Sequence, residues 1–152
     1  MTQTITLVKT DSSHPDFRAL VQLLDAHLEE KDGDEHPFFA QYNTLDPIKH
    51  DNVPYQNGTP TGCGSSKKYA DNIMEVKRMY VKPEYRGQGI ASRILATLEE
   101  WAKTLGYSET ILETLKSQTS VVAMYQRNGY EIIPNYGQYQ GVESSVCMRK
   151  YL

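Results

Sequence analysis

Over residues 72–105 the hydrophobic period changes from two to that of a helix, across a turn that carries two glycines. No other feature of the chain constrains its fold as strongly. Residues 72–81, Asn-Ile-Met-Glu-Val-Lys-Arg-Met-Tyr-Val, alternate as a strand does. The turn follows as Lys82-Pro-Glu-Tyr-Arg86-Gly87-Gln88-Gly89. Directly after it Ile90, Ile94, Leu95, Leu98, Trp101, Ala102 and Leu105 fall on one helical stripe, with Trp101 read as core, and Gly106 supplies the stop. So short a turn sets the N-terminus of a long helix at the end of a strand. The first N–H groups of a helix have no intrahelical acceptor, and with the helix dipole they favour an anion. Glycine at 87 and 89 lets a phosphate approach the backbone with no Cβ in the way. Arg86 adds a fixed positive charge at the rim. The segment therefore reads as a phosphate or pyrophosphate cradle, against the plainer alternative that the glycines only shape a turn.

The flanking sequence extends this unit into a single domain over residues 1–152. Residues 4–9 read as a first strand. Residues 15–30 read as an amphipathic helix with Phe17, Leu20, Val21, Leu24 and Leu28 on one face, capped by Ser13 or Asp16 and stopped at Gly33. A second short helix is expected over His36 to Tyr42. Residues 51–58 and 60–69 form a hairpin about Asn57-Gly58, with Pro54 either placing the first strand at an edge or distorting it. Downstream, 109–115 is a strand, 119–127 a helix ending at Asn128-Gly129, and 130–133 and 144–150 are strands joined by a Tyr/Gly-rich loop. The expected fold is α/β, with a mixed, largely antiparallel sheet.

Composition narrows the function. The 152 residues are 39% hydrophobic and 23% charged, which is globular rather than disordered. No apolar run approaches the roughly 20 residues of a spanning helix, so no membrane association is expected. The N-terminal residues do not resemble a signal peptide, and Cys63 and Cys147 form no CxxC or ligand cluster, so the expected setting is cytoplasmic with reduced thiols and no metal. A net charge of −3 disfavours a nucleic-acid partner. The four histidines, His14, His27, His36 and His50, have no metal spacing and default to surface or capping roles, with His36 keeping some functional interest. Two nucleotide motifs fail: a Rossmann fingerprint would need glycine where Ser92 stands, and a P-loop would need Gly-Lys-Ser/Thr.

Arg86-Gly-Gln-Gly89-Ile-Ala91 resembles the R/Q-x-x-G-x-G/A acetyl-CoA motif of the GNAT superfamily of N-acetyltransferases. Ala123-Met-Tyr125-Gln-Arg-Asn-Gly129-Tyr130 is similar to the family's second signature, and the element order over 4–150 is also the family's. The resemblance implies a GNAT-like domain with helices on both faces of the sheet and splayed central strands. It implies that backbone groups near Met79, Tyr80 and Val81 hold the pantetheine and thioester. The amides of Gly87, Gln88, Gly89, Ile90 and Ala91 would cradle the pyrophosphate, supported by Arg86. Gln118 stands where the family often carries a cofactor-contacting Asn, and Arg127 could reach the 3′-phosphate.

Tyr125 matches the tyrosine that protonates the leaving thiolate in family members. Glu75 stands at the offset before Val81 where the histone-acetylating branch places its base; an alkyl ammonium must lose a proton before attack, and a carboxylate in the cleft can take it. On a regular strand Glu75 shares a face with Lys77 and Met79. Glu113 is the competing base. Tyr136 and Tyr139 belong to the loop that overhangs the acceptor pocket in this fold. The acidic run Glu29, Glu30, Asp32, Asp34 and Glu35 is a solvated face or a funnel for a cationic amine. The expected activity is acetyl-CoA-dependent acetylation of a primary amine, a small molecule or amino-acid derivative, by direct attack in a ternary complex. A non-catalytic acyl-CoA binder on the same fold and a nucleotide-binding regulatory domain are the alternatives. A homodimer is left open.

Overall fold

The computed structural model describes residues 5–11, 13–35, 37 and 50–152. Along the chain run β1 (Ile5–Thr10), α1 (Pro15–Asp32), β2 (His50–Gln56), β3 (Thr59–Pro60), β4 (Gly62–Ala70), β5 (Ile73–Val81), α2 (Ile90–Thr104), β6 (Glu109–Leu115), α3 (Thr119–Arg127), β7 (Glu131–Ile133) and β8 (Ser145–Tyr151). Among the described residues these strands form the mixed sheet expected, in the order β1-β2-β4-β5-β6-β8-β7 with β3 beside β2. The helix expected over His36 to Tyr42 lies outside the described residues. By their contacts the residues divide into two compact units, 1–67 with 77–98 and 68–76 with 99–152.

In the first unit α1 begins at Pro15, where a missing N–H costs nothing. Its cap is His14, whose Nδ1 accepts from the Asp16 N–H at 3.2 Å. Ser13 is not the cap, because its N–H and hydroxyl both donate to Asp11. Gly33 ends the helix at φ 56°. Phe17, Leu20 and Val21 pack with Val53 and Cys63 into a buried core, and Tyr55 and Tyr80 close over it. Pro54 does not mark an edge: β2 is flanked by β1 on one side and by β3 and β4 on the other. A residue's N–H and C=O point to the same side of a strand, so the missing donor of Pro54 faces the β3–β4 side. There the Thr61 N–H donates to the Pro54 carbonyl at 2.9 Å, and the return strand breaks into β3 and β4 at Thr61. The distortion alternative therefore holds, and the expected hairpin partner is split in two.

Alternation along β4 places helices on both faces of this unit. Cys63 joins the α1 core, and Gly64 turns the other way, where a Cβ would collide with Ile94 Cγ2 of α2 and stand 2.7 Å from Met79 Sδ. On β5, Arg78 adopts φ 55°, an uncommon conformation for a side-chain-bearing residue, and the Cys63 thiol donates to its carbonyl at 3.3 Å. This kink interrupts the two-residue alternation. The expected sharing of one face by Glu75, Lys77 and Met79 therefore does not carry past Arg78.

The same unit buries a carboxylate at a cost. Asp51 is fully buried opposite Ser65, and neither of its oxygens has a partner with hydrogen-bond geometry. Burial pushes its pKa from 3.8 up to about 6; the nearby Ser65 hydroxyl and the Arg78 charge only partly oppose this, and Asp11 adds to it. The folded-state value lies above the unfolded one. The resulting stability is present in full below about pH 4 and is lost as the pH rises through about 6. Thermal melts between pH 4 and 7 should show this decline in the wild type, and Asp51→Asn should remove it and raise the melting temperature at pH 7. Parallel melting curves for the two proteins would contradict the assignment.

In the second unit β5 and β6 form a short parallel ladder, from Ile73↔Glu109 to Glu75↔Ile111, although β5 runs on to Val81 and β6 to Leu115. β8 pairs antiparallel with β6 along its whole length and with β7 on its other side. The registers sort the side chains. Met74, Leu112 and Met148 lie on one face and are buried, while Glu75, Glu113 and Cys147 lie on the other. Trp101 is only half-buried, its large indole not fully covered. Leu105 is 48% exposed because it lies past the last helical residue, Thr104. Both thus fall short of the core placement their spacing suggested.

Candidate active site

The strand-to-helix turn of the first unit is built to present backbone. Beyond Val81 the chain makes a 3-10 turn, Pro83–Tyr85, and the Arg86 N–H bonds back to the Pro83 carbonyl. Gly87 and Gly89 then take φ 84° and 76°, values that only glycine adopts without strain. A Cβ on either would meet nothing within 4 Å, so both stand open to an incoming group. The first α2 bond to Gly89 comes from the Arg93 N–H, which leaves the amides of the preceding turn outside the helical ladder. Gln88 anchors the loop, donating to the Tyr85 carbonyl and accepting from Gln56, both at 3.3 Å. Arg86 is exposed, and its Nε donates to the Val81 carbonyl at 2.8 Å with the guanidinium against the Tyr80 ring. It clamps the turn to the strand end while keeping its charge at the rim. His27 of α1 lies beside Tyr80, and burial and then the Arg86 charge lower its pKa.

The second unit gathers two carboxylates and four tyrosines. Glu75 is 6% exposed, and its Oε2 accepts from the Tyr136 hydroxyl at 2.6 Å. Glu113 accepts from the Ser145 hydroxyl at 2.6 Å. Tyr125, on α3, is buried with its ring edge-on to Tyr130; burial and then the Glu113 charge raise its pKa, so its hydroxyl keeps its proton. Tyr139 is buried, and its pKa is raised by burial and by the Glu113 and Glu75 charges. Gln118 precedes α3, and its side chain makes no capping bond; Arg127 is exposed at the other end. Among the described residues no group of His, Cys, Asp or Glu is placed to hold a metal ion.

The sequence profile of the Acetyltransferase (GNAT) family matches residues 11–130, a segment that contains the glycine turn, Glu75 and Tyr125. The chain belongs to the GNAT acetyltransferase family. Among GNAT relatives it is 35% identical over 101 residues to an IAA acetyltransferase of Azospirillum brasilense, covering 66% of each chain. It is 34% identical over 94 residues to an aminoalkylphosphonate N-acetyltransferase of Salmonella typhimurium, covering 59% of this chain and 61% of that one. The matches thus span about two thirds or less of these relatives. A Klebsiella pneumoniae protein assigned as an acyl-CoA N-acyltransferase superposes with a TM-score of 0.78 at 30% identity, over 99% of this chain and 98% of the other. Solved structures of the same fold hold acetyl-CoA or coenzyme A.

Two contacts of this GNAT protein had no sequence signal. Tyr136 and Glu75 lie 61 positions apart, and Ser145 and Glu113 lie 32 apart, so neither spacing marks a bond. The Tyr/Gly-rich composition of the loop drew attention to Tyr136 but not to its partner. His14 took the capping default of the histidines, and His36 lies outside the described residues.

Proposed function

We propose that this protein, as one catalytic domain over residues 1–152, transfers the acetyl group of acetyl-CoA to a primary amine of a small molecule or amino-acid derivative. The observation that carries this reading is the pair of left-handed glycines, open on their outer side, at the mouth of α2. There a pyrophosphate can meet the amides of Gly87 to Ala91. Met79, Tyr80 and Val81 hold the pantetheine and thioester by their backbone, Arg86 supports the phosphates, and Gln118 contacts the cofactor. Glu75 takes the proton of the acceptor ammonium, and Tyr125 protonates the departing thiolate. The names of the relatives, an aminoalkylphosphonate N-acetyltransferase among them, favour a small amine. The exposed acids Glu29, Glu30, Asp34 and Glu35 suit a cationic approach.

Direct transfer is supported by the thiols. Burial pushes Cys63 up to about 12 and Cys147 up to about 11, so neither offers a thiolate at neutral pH. Both are free and buried, which fits a reducing, cytoplasmic setting. No helix among the described residues is long and apolar enough to cross a membrane. Initial rates measured with acetyl-CoA and amine both varied should give intersecting lines, as a ternary complex requires. Parallel lines would reveal an acetyl-enzyme and overturn direct attack.

A further inference from the structure

We propose that Tyr136 is a positioning residue for Glu75, aiming its carboxylate for proton removal. The proposal rests on the reading of Glu75 as the base. The hydroxyl of Tyr136 donates to Glu75 Oε2 at 2.6 Å, and the carboxylate is 6% exposed. A hydrogen bond to the charged form of a buried carboxylate favours that form. It also fixes the carboxyl plane, so the other oxygen keeps a set direction. The donor is held in place from three sides. The Tyr69 ring meets the Tyr136 ring edge-on at 5.2 Å, and Tyr139 meets it at 5.7 Å and 90°. The Asn135 side-chain amide donates to the carbonyls of Tyr139 at 3.1 Å, Val142 at 2.9 Å and Ser145 at 3.3 Å, which staples the loop that carries Tyr136.

Other ionisable groups also face Glu75. Tyr139 and Cys147 feel the Glu75 charge, and Glu113 adds a second negative charge to the same face. Burial and the Glu75 charge keep the Tyr136 phenol protonated, so it donates throughout the working pH range. In turnover the acceptor ammonium gives its proton to Glu75 and the free amine attacks the thioester. Tyr136 keeps its own proton, and Glu75 later releases the one it took to water.

The test is the pH dependence of kcat/KM for wild type, Tyr136→Phe, Glu75→Gln and the double variant, with any accepted amine. Phenylalanine keeps the ring contacts with Tyr69 and Tyr139. The acidic limb of the Tyr136→Phe profile should move to higher pH by about one unit, with less than a tenfold loss on the plateau. Adding Tyr136→Phe to Glu75→Gln should cost nothing more. Asn135→Ala, which loosens the loop without touching the pair, should shift the limb in the same direction by less. An unmoved limb in Tyr136→Phe, or an equal loss in the Glu75→Gln background, would overturn the proposal. A wild-type limb in Glu75→Gln alone would overturn the base assignment itself, in a separate measurement.

Discussion

Replacing Gly89 by valine is expected to weaken acetyl-CoA binding by about a hundredfold or more while the protein still folds. Two effects act together. The position holds φ 76°, which a β-branched residue adopts only under strain of order 1–3 kcal/mol. A Cβ there meets no protein atom within 4 Å, so the added methyls project into the space a phosphate needs rather than into the core. Loss of one phosphate's amide contacts at a helix N-terminus is worth about 3 kcal/mol, or about a hundredfold. Gly58 provides the control. It has φ 79° and equally open surroundings, but it sits in the β2–β3 turn. Gly58→Val should lower the melting temperature by a similar amount and leave acetyl-CoA affinity unchanged. Titration calorimetry on both variants separates strain from phosphate approach, and equal affinities would remove the pyrophosphate from this turn.

Tyr125→Phe is expected to lower kcat by about a hundredfold with acetyl-CoA affinity within a fewfold of wild type. The phenol is buried and its pKa is raised by that burial and by Glu113, so it enters the reaction protonated. A raised pKa makes a poorer acid towards a thiol of ordinary value. The departing thiolate would share the same apolar surroundings, which raise a thiol as well and narrow the gap. The ring packs edge-on to Tyr130 at 5.7 Å, a contact that phenylalanine retains, so the fold should be unaffected. Single-turnover measurement isolates the chemical step from product release. Wild-type rates in this variant would leave Tyr125 a packing residue.

What could be read from the sequence followed the physics of local signals. The second helix–strand repeat was legible residue by residue: β6 spans Glu109–Leu115 and α3 spans Thr119–Arg127 because period, glycine stop and strand composition all agree there. The strand-to-helix turn was legible because the hydrophobic period changes across two glycines. Elsewhere the chain used chemistry with no local signature. An arginine with φ 55° on β5 breaks an alternation that the residues themselves display without fault. Pro54 stands inside the sheet because a break in its neighbour absorbs the lost donor. The cap of α1 fell to a histidine, although better capping residues stood on either side. Of the candidate site, Glu75 and Tyr125 were singled out by position in the family pattern. The hydroxyls that hold Glu75 and Glu113 arrive from distant loop and strand positions, where only the fold creates the meeting.

Passage of the acetyl group from acetyl-CoA to a primary amine is measured by following labelled acetyl from the donor. A panel of small primary amines, aminoalkylphosphonates and amino-acid amides included, would be incubated with purified protein and acetyl-labelled acetyl-CoA. A labelled amide is expected for at least one amine, formed one-for-one with free coenzyme A. Saturable acetyl-CoA binding with no coenzyme A release and no labelled amide across the panel would contradict this transfer and identify the protein as an acyl-CoA binder.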